Sequence, residues 1–233
     1  MSEWKPDAVL GVYRKARKSV LLLCVALAGI IAGYVVFDCW REYDETLRDA
    51  ERRLTGYRIS LAEHAEQTFN STQWVLDQAC AYLNSRELAM FSESEVHAYM
   101  KNLISHFPHI GWINIKDKNA VNIANTMEYP VTKKPHPDID YMRFHKENPS
   151  TDQLFFSKPA LGVVTQRWRF FITRRISDKH GRFAGVIGCA FAPTYYDAFY
   201  KSVDLGKTGR VLLIRGDGQV LVQSPFSGEA MKT

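Results

Sequence analysis

The sequence lacks the residue spacings on which metal and catalytic sites depend. It contains no CxxC pair, no HExxH segment and no cluster of Cys and His residues, so it offers no set of metal ligands. A nucleophile elbow is also missing, and no two carboxylates have the context of a general acid and base. We therefore expect a binding protein that is not an enzyme and that uses no cofactor and no metal.

Cysteine is scarce, with 4 residues in the chain, and their positions do not form a disulfide framework. Cys24 lies inside a long apolar run and Cys39 just beyond it, while Cys80 and Cys189 fall in a predicted helix face and a predicted core strand. We expect all four to be small buried hydrophobic residues. A bridge between Cys80 and Cys189 is the alternative in an oxidising compartment.

A basic surface for nucleic acid is also absent. The net charge is +5, but residues 1–19 hold five basic and two acidic residues, which leaves 25 basic against 23 acidic residues in the remainder. A nucleic-acid-binding domain needs a basic patch on its folded part. We therefore predict no nucleic-acid partner.

The longest apolar run is Val20–Phe37, which has no charged residue in 18 positions. That length is enough for one transmembrane helix. Basic residues precede the run and Asp38 follows it, so the positive-inside rule predicts a cytoplasmic tail over 1–19 and an outside location for the rest. The prediction is a single-pass protein of a bacterial inner membrane with a periplasmic C-terminal domain.

Two alternatives exist for this run. A cleaved signal peptide usually has a shorter apolar core and a small-residue cleavage site, whereas Phe37 is followed by Asp38, Cys39 and Trp40. A buried helix of a soluble protein would not need the charge asymmetry around the run. An uncleaved anchor fits the sequence better than either.

Residues 38–105 read as helices that rise from this anchor. Apolar residues recur every seven positions at Leu47, Leu54 and Leu61, and Val75, Leu76, Ala79 and Leu83 continue an apolar face. A dimer through this stalk helix is one interpretation, and packing of the same stripe on its own domain is the other. A second helix is predicted from Ser92, because Ser92 and Glu95 have capping-box spacing.

The remaining chain alternates strands with short helices. The central feature is a predicted hairpin of Trp168–Ile176 and Phe183–Ala192, whose second strand has no polar residue and is expected in the middle of a sheet. The other predicted elements are a hairpin over 110–124, a short helix over 139–145, a strand over Leu154–Pro159, a helix over Tyr195–Val203 and a hairpin over 209–223. The prediction is an α+β fold with one antiparallel sheet, helices on one face and the short helix with loops on the other.

Several short motifs, taken in order, resemble a known family. They are Tyr141-x-Arg143-x-His145, Trp168 followed by Thr173-Arg174-Arg175, Gly181-x-Phe183-x-Gly185-Val186, Tyr195-Tyr196-x-x-Phe199-Tyr200, Asp204-Leu205-Gly206 and Arg215-x-Asp217-Gly218. This set resembles the extracytoplasmic double Cache (PAS-like, PDC) sensor domains of bacterial diguanylate cyclases and sensor histidine kinases.

The resemblance implies a first PAS-like module over 106–203 that binds a small molecule. It also implies that 204–233 begin a second module, so that the chain corresponds to a receptor truncated within that module and lacking an output domain. The ligand would lie between the sheet and the short helix. An anion such as a carboxylate or an amino acid is expected, because a guanidinium pairs well with a carboxylate.

The candidate ligand-binding residues are Tyr141, Arg143, His145, Trp168, Arg174 and Arg175. Strand alternation places Arg174 and Arg175 on opposite faces, and the sequence does not show which one faces the ligand. The alternative function is a membrane-anchored interaction or dimerisation protein whose PAS-like fold has no ligand.

Overall fold

The computed structural model of the protein describes residues 6–85, 90–135, 139–149, 153–162, 166–203, 205–206 and 208–231. The described chain forms two compact units, the first ending at Ile59 and the second beginning at Ser60. A continuous helix, α1, runs over Pro6–Asn84 and contributes to both units. The first five residues of the predicted basic tail lie outside the described part.

The first unit contains the predicted membrane span. Helix α1 is the one described helix that is long and apolar enough to cross a membrane. From Val20 to Phe37 its large apolar side chains are exposed; Leu23, for example, is 72% accessible. Because exposing this much apolar surface to water is unfavourable, the stretch suits a lipid environment.

Six strands of the second unit form one antiparallel sheet. They are β1 (Trp112–Asp117), β2 (Asn122–Asn125), β3 (Phe155–Phe156), β4 (Ala160–Leu161), β5 (Trp168–Ser177) and β6 (Phe183–Phe191). Their order is β2-β1-β6-β5-β3, and β4 also pairs with β5. The apolar strand β6 therefore lies between β1 and β5, which confirms the predicted mid-sheet position.

Helix α1 and helix α2 (Glu93–Ile104) pack on one face of the sheet, here called the inner face. The predicted apolar stripe of α1 is confirmed, since Val75, Leu76 and Ala79 are each 0% exposed and join the core with Ile172 from β5. The capping prediction for α2 is also confirmed, because the Ser92 hydroxyl accepts a 3.2 Å hydrogen bond from the Glu95 amide.

Helix α3 (Asp140–Glu147) covers the opposite, outer face of the sheet. Its Tyr141 and Met142 pack with Val186 of β6 and Ala120 in a second, smaller apolar cluster. The predicted division of the helices between the two faces is therefore correct. It leaves β5 and β6 between α1 and α3, in contact with both layers.

The structure differs from the prediction at the edge of the sheet. The strand expected over Leu154–Pro159 is only Phe155–Phe156, and Ala160–Leu161 forms a separate strand. Between these two strands, the Ser157 hydroxyl accepts a hydrogen bond from the Phe171 amide. At this point a side chain takes the place of a backbone carbonyl as the acceptor for β5. Pro159 lies between the two strands, consistent with proline's missing donor.

The C-terminal hairpin does not join the main sheet. Strands β7 (Val211–Ile214) and β8 (Val220–Ser224) form a separate two-stranded sheet beside helix α4 (Pro193–Tyr200) and a 3₁₀ turn at Glu229–Met231. The buried Asp197 carboxylate accepts from the Phe226 amide at 3.1 Å and ties this segment to α4. Asp204 and Lys207, at the start of the predicted second module, lie outside the described residues.

Candidate functional site

Strand β5 presents two chemically different faces. Phe170 and Ile172 are fully buried in the inner-face core. The alternate residues of β5 belong to the outer face. Among them, Phe171, Thr173 and Arg175 pair with Ala190, Gly188 and Val186 of β6. Those three residues of β6 pair in turn with Trp112, Asn114 and Lys116 of β1. The outer face therefore carries a polar and cationic set of side chains beneath α3.

One end of this face holds a cluster of a cation and three aromatic rings, which we call the Arg169 cluster. The guanidinium carbon of Arg169 lies 5.0 Å from the ring centre of Trp112 and 6.0 Å from that of Phe171. The Trp112 and Phe171 rings meet edge to face at 6.0 Å, and Tyr141 of α3 lies 5.8 Å from Phe171. These distances are within the range of cation–π and aromatic pairing.

The electrostatics of the cluster follow from its burial. Burial raises the pKa of the Tyr141 phenol, and the nearby Asp140 carboxylate adds to this, while the Arg169 guanidinium acts in the opposite direction. Burial also lowers the pKa of Arg169. Arg169 nevertheless stays a cation, because a guanidinium does not lose its proton in proteins. The cluster is thus a positive charge framed by apolar rings.

A polar row crosses the sheet next to this cluster. Asn114 of β1 and Thr173 of β5 both pair in register with Gly188 of β6, which has no side chain to separate them. The Asn114 side-chain oxygen is buried and has no hydrogen-bond partner among the described residues. A buried polar atom of this kind is costly unless something supplies a donor.

Two further cations flank Val186 at the other end of the face. Lys116 is 3% exposed and its ammonium donates to the Asn122 side-chain oxygen at 2.6 Å. Burial lowers the pKa of Lys116 to about 8, and Asp117 opposes that shift. A nearly dry ammonium paired with a neutral amide is an unusual arrangement, since buried charges normally have charged partners.

Arg175 is the second of these cations and is 5% exposed. Its guanidinium donates to the Ser177 hydroxyl at 3.1 Å, to the Gly181 carbonyl at 3.3 Å and to the His145 carbonyl, and it lies 5.0 Å from the Phe183 ring. All three acceptors are neutral. Arg175 thereby fixes the end of α3 to the sheet.

His145 of α3 is fully buried against β5. Its Nε2 lies 3.0 Å from the Thr173 hydroxyl, which itself donates to the Phe155 carbonyl at 3.2 Å. Since the hydroxyl proton is used in that bond, Nε2 carries the imidazole proton and donates to Thr173. The other ring nitrogen, Nδ1, is buried with no partner among the described residues.

This environment predicts a pH-dependent stability. Burial lowers the pKa of folded His145 to about 4, with Arg175 acting in the same direction and the Thr173 bond opposing it. The unfolded state binds a proton near pH 6.5 and the folded state does not, so stability falls as the pH drops from 6.5 towards 4. At pH 5 we expect His145 to cost about 2 kcal/mol relative to pH 7.

Chemical denaturation at pH 7 and pH 5 tests this expectation. His145→Gln keeps a donor for Thr173 but cannot titrate, so its stability should fall by about 2 kcal/mol less than that of the wild type over this range. His109 also contributes to the pH dependence of stability, because burial lowers its pKa to about 4. That contribution is the same in the wild type and in His145→Gln, so it cancels when the two proteins are compared. If the free energy of unfolding changes equally between pH 7 and pH 5 in the two proteins, a lowered pKa of His145 is contradicted.

The structure brings together three of the six predicted site residues. Tyr141, His145 and Arg175 all lie between α3 and the outer face. Arg174 instead points to the inner face, where its guanidinium forms an ion pair with Asp77 of α1. The sequence left the direction of the two arginines open, and strand alternation combined with this ion pair assigns Arg175 to the outer face.

The other two predicted residues are not part of this group. Trp168 shares the inner-face parity of Phe170, pairs with Leu161 of β4, and its indole nitrogen lies 3.0 Å from where a Cβ on Gly228 would be. Arg143 is an exposed residue of α3 that makes contacts of its own. The combination of Arg143, Arg174, Trp168 and Tyr141 expected from the sequence is therefore not assembled, because Arg174 and Tyr141 lie on opposite sides of the sheet.

Five residues that complete the outer face were not among those predicted from the sequence. These are Trp112, Asn114, Lys116, Arg169 and Phe171. The signal was present in the alternation of β1, where the buried Ile113 and Ile115 alternate with Trp112, Asn114 and Lys116. What the alternation did not supply was the pairing of β1 with β6, a contact between residues some 75 positions apart in the chain.

Comparisons with known proteins bear on this geometry. No family model matches the chain, and no curated protein matches it. Among solved structures, the extracellular domain assigned to a histidine kinase, rpHK1S-Z16, is similar with a TM-score of 0.64 and 28% identity, over 71% of this chain and 67% of that one.

Two chemoreceptor domains are also similar. The ligand-binding domain of Pseudomonas fluorescens CtaA, solved with L-isoleucine, has a TM-score of 0.57 and 16% identity over 75% of this chain and 68% of that one. The ligand-binding domain of Pseudomonas aeruginosa PctC, solved with GABA, has a TM-score of 0.56 and 12% identity over 78% of this chain and 79% of that one. The fold is that of extracellular sensor domains. These neighbours are receptor domains of histidine kinases and chemoreceptors, and none of the three is a diguanylate cyclase.

Within this sensor-domain fold, the described residues contain no group of three or more His, Cys, Asp or Glu side chains that could hold a metal ion. The outer face carries guanidinium and ammonium groups beside aromatic rings, and it also holds two unsatisfied acceptors, the Asn114 side-chain oxygen and His145 Nδ1.

Proposed function

We propose that the protein is a membrane-anchored sensor whose outer face, centred on the Arg169 cluster, binds a small carboxylate or amino-acid-like ligand. The observation that carries the proposal is the half-buried Arg169 guanidinium beside the Trp112 and Phe171 rings, with Tyr141 of α3 packed on Phe171. A guanidinium matches two carboxylate oxygens, and the rings can enclose an apolar part of the ligand. The amino acids bound by similar chemoreceptor domains support this ligand class.

The membrane part of the proposal follows from the first unit. The uncharged stretch of α1 anchors the chain, with residues 1–19 in the cytoplasm and the sheet outside, in the periplasm of a bacterium. The exposed Leu47 and Leu54, 46% and 57% accessible, support a homodimer through this helix. The predicted truncation within a second module remains a prediction.

Ligand binding by the full chain in lipid nanodiscs tests the function. Isothermal titration against a panel of organic acids and amino acids should identify a ligand, and Arg169→Gln should weaken it at least thirtyfold, or about 2 kcal/mol, because a charge-assisted hydrogen bond is lost. Arg182→Gln is the matched control, since Arg182 is exposed at the turn of the same hairpin and pairs with Asp178.

Three results would separate the alternatives. A thirtyfold loss in Arg169→Gln with unchanged affinity in Arg182→Gln supports the site. Equal losses in both variants would place the ligand elsewhere. If no compound in the panel binds, the protein is better explained as an interaction module without a small ligand.

A further inference from the structure

We infer that acid pH is a second input to this protein, received by two histidines, His64 and His109, that lie where α1 meets α4. We call them the histidine pair. Protonation of the pair weakens the contact of α4 with α1. The inference concerns the inner face of the sheet, so it does not depend on a ligand at the outer face.

His64 lies on α1 and meets the aromatic side chains of α4. Its ring stacks on the Phe199 ring, with centres 3.7 Å apart and 9° between the planes. The rings of Tyr195, Tyr196 and Tyr200 lie 6.2, 6.0 and 6.3 Å from it. Nδ1 of His64 is buried and has no hydrogen-bond partner in the described part of the chain. A protonated ring therefore holds a buried N–H group without an acceptor there.

His109 lies in the loop between α2 and β1 and is 8% exposed. Its Nε2 is 3.1 Å from the Ser71 hydroxyl of α1. That hydroxyl donates to the Thr68 carbonyl at 2.9 Å, so Nε2 carries the imidazole proton and donates to Ser71. The His109 ring also lies 5.9 Å from Phe191 at the end of β6 and 6.0 Å from Tyr195 of α4. His109 therefore connects α1, β6 and α4.

The surroundings of the pair disfavour a positive charge. Burial lowers the pKa of His109 to about 4, and a charge on His64 acts in the same direction. Burial also lowers the pKa of His64. No carboxylate of residues 6–85, 90–135 or 166–203 forms an ion pair with either ring, and β6 contributes only the apolar Phe191. Each imidazole is thus a neutral base in the folded protein.

The charged and titratable groups of α4 leave this balance unchanged. Asp197 pairs with the Lys201 ammonium at 2.7 Å and accepts from the Phe226 amide at 3.1 Å, so its charge is already compensated. The phenols of α4 are neutral, and burial raises the pKa of Tyr200 to about 12. A cation–π contact with Phe199 stabilises an imidazolium at His64 but supplies no acceptor for its Nδ1 proton.

The direction of the pH effect follows from proton uptake. An imidazole released into water binds a proton near pH 6.5, whereas folded His109 does so only near pH 4. Separation of α4 from α1 exposes the ring, so its equilibrium constant rises as the pH falls through this window. Between pH 7 and pH 5 His109 alone raises that constant about twentyfold, and His64 adds to it.

The position of the pair suits an input signal. Helix α1 contains the candidate membrane span, and α4 is tied to the C-terminal segment by the bond between Asp197 and the Phe226 amide. Protons act on the contact between these two parts of the chain. The outer face, where His145 lies under α3, is on the other side of the sheet.

Amide hydrogen exchange of the full chain in nanodiscs, without ligand, tests the inference. After correction for the intrinsic pH dependence of exchange, the protection factors of the α4 amides should fall at least tenfold between pH 7 and pH 5. At pH 5 the α4 amides should remain at least tenfold less protected than those of β6, because α4 separates while the sheet stays folded. Titration of His145 appears only in openings that release α3.

A double variant removes the titration of the pair. His64→Phe keeps a ring against Phe199 and His109→Gln keeps a donor for Ser71, but neither side chain binds a proton in this range. The fall in α4 protection should be at least fivefold smaller in the double variant than in the wild type. His106→Gln is the matched control, because His106 is exposed on the same loop, and it should retain the wild-type fall.

Four results would overturn the inference. They are a wild-type fall at α4 of less than tenfold, α4 amides that are as protected as those of β6 at pH 5, an undiminished fall in the double variant, and a fall that is lost in His106→Gln. If the double variant does not fold at pH 7, His109→Gln alone takes its place. That single variant should also reduce the fall at least fivefold, and a smaller reduction contradicts the inference.

Discussion

Asp77→Asn is expected to lower the free energy of unfolding by about 3 kcal/mol, because it removes a charged partner of a buried guanidinium. The Arg174 side chain is 9% exposed and pairs with the Asp77 carboxylate of α1, whose side chain is 41% exposed. Because the Asp77 side chain is partly exposed to solvent, we expect a loss of stability at the low end of the range for buried ion pairs. Urea denaturation of the full chain in micelles measures it.

The matched control is Lys133→Gln. Lys133 pairs with Glu93 at 4.0 Å and its side chain is 68% exposed, so its loss should cost less than about 0.5 kcal/mol. Arg174→Met in the Asp77→Asn background should recover part of the lost stability, since an apolar side chain replaces a buried guanidinium that has lost a charged partner. A double variant less stable than Asp77→Asn alone would contradict this account.

Gly185→Ala should destabilise the protein by about 3 kcal/mol or more. A Cβ on Gly185 would lie 2.1 Å from the Lys116 carbonyl oxygen and 3.1 Å from its carbonyl carbon. These are backbone atoms of β1, which cannot move without breaking the β1–β6 ladder, so the clash cannot be relieved by a rotamer change. Thermal melts and urea titrations measure the loss.

Gly216→Ala is the control for that substitution. Nothing lies within 4 Å of a Cβ at Gly216, in the β7–β8 turn, so the change should stay within about 0.5 kcal/mol of the wild type. A Gly185→Ala variant with wild-type stability would mean that β1 and β6 are not paired in this register. The position of Lys116 and Asn114 on the outer face would then have to be revised.

Both predictions concern the contacts that connect β5 and β6 to their neighbours. Arg174 joins β5 to α1 on the inner face, and the adjacent Arg175 joins it to α3 on the outer face. The two arginines, consecutive in sequence, therefore connect α3 to the helix that contains the candidate membrane span.

The layered fold was largely predictable because it depends on local patterns. The apolar run of β6, the stripe of α1 at Val75, Leu76 and Ala79, and the cap at Ser92 are periodic or short-range signals. The irregular edge at Ser157 was not predictable in the same way. It depends on a side-chain hydrogen bond between distant segments.

The candidate site was only partly predictable. Tyr141, His145 and Arg175 were correctly associated with α3 and β5, whereas Arg169 was passed over in favour of Arg174. The distinguishing fact is the Asp77 partner on α1, some 97 positions earlier in the chain. Only the tertiary arrangement shows that Arg174 pairs with Asp77 of α1 and that Arg169 lies against the Trp112 and Phe171 rings.

Ligand-induced thermal stabilisation of the full chain in nanodiscs tests the central claim most directly. A ligand at a hundred times its Kd should stabilise the wild type by about 2.7 kcal/mol through mass action. The same concentration should stabilise Arg169→Gln by less than about 1 kcal/mol, because a thirtyfold weaker affinity lowers the ratio of ligand concentration to Kd from about 100 to about 3. Equal stabilisation of wild type and Arg169→Gln by every compound that binds would contradict ligand recognition by the outer face.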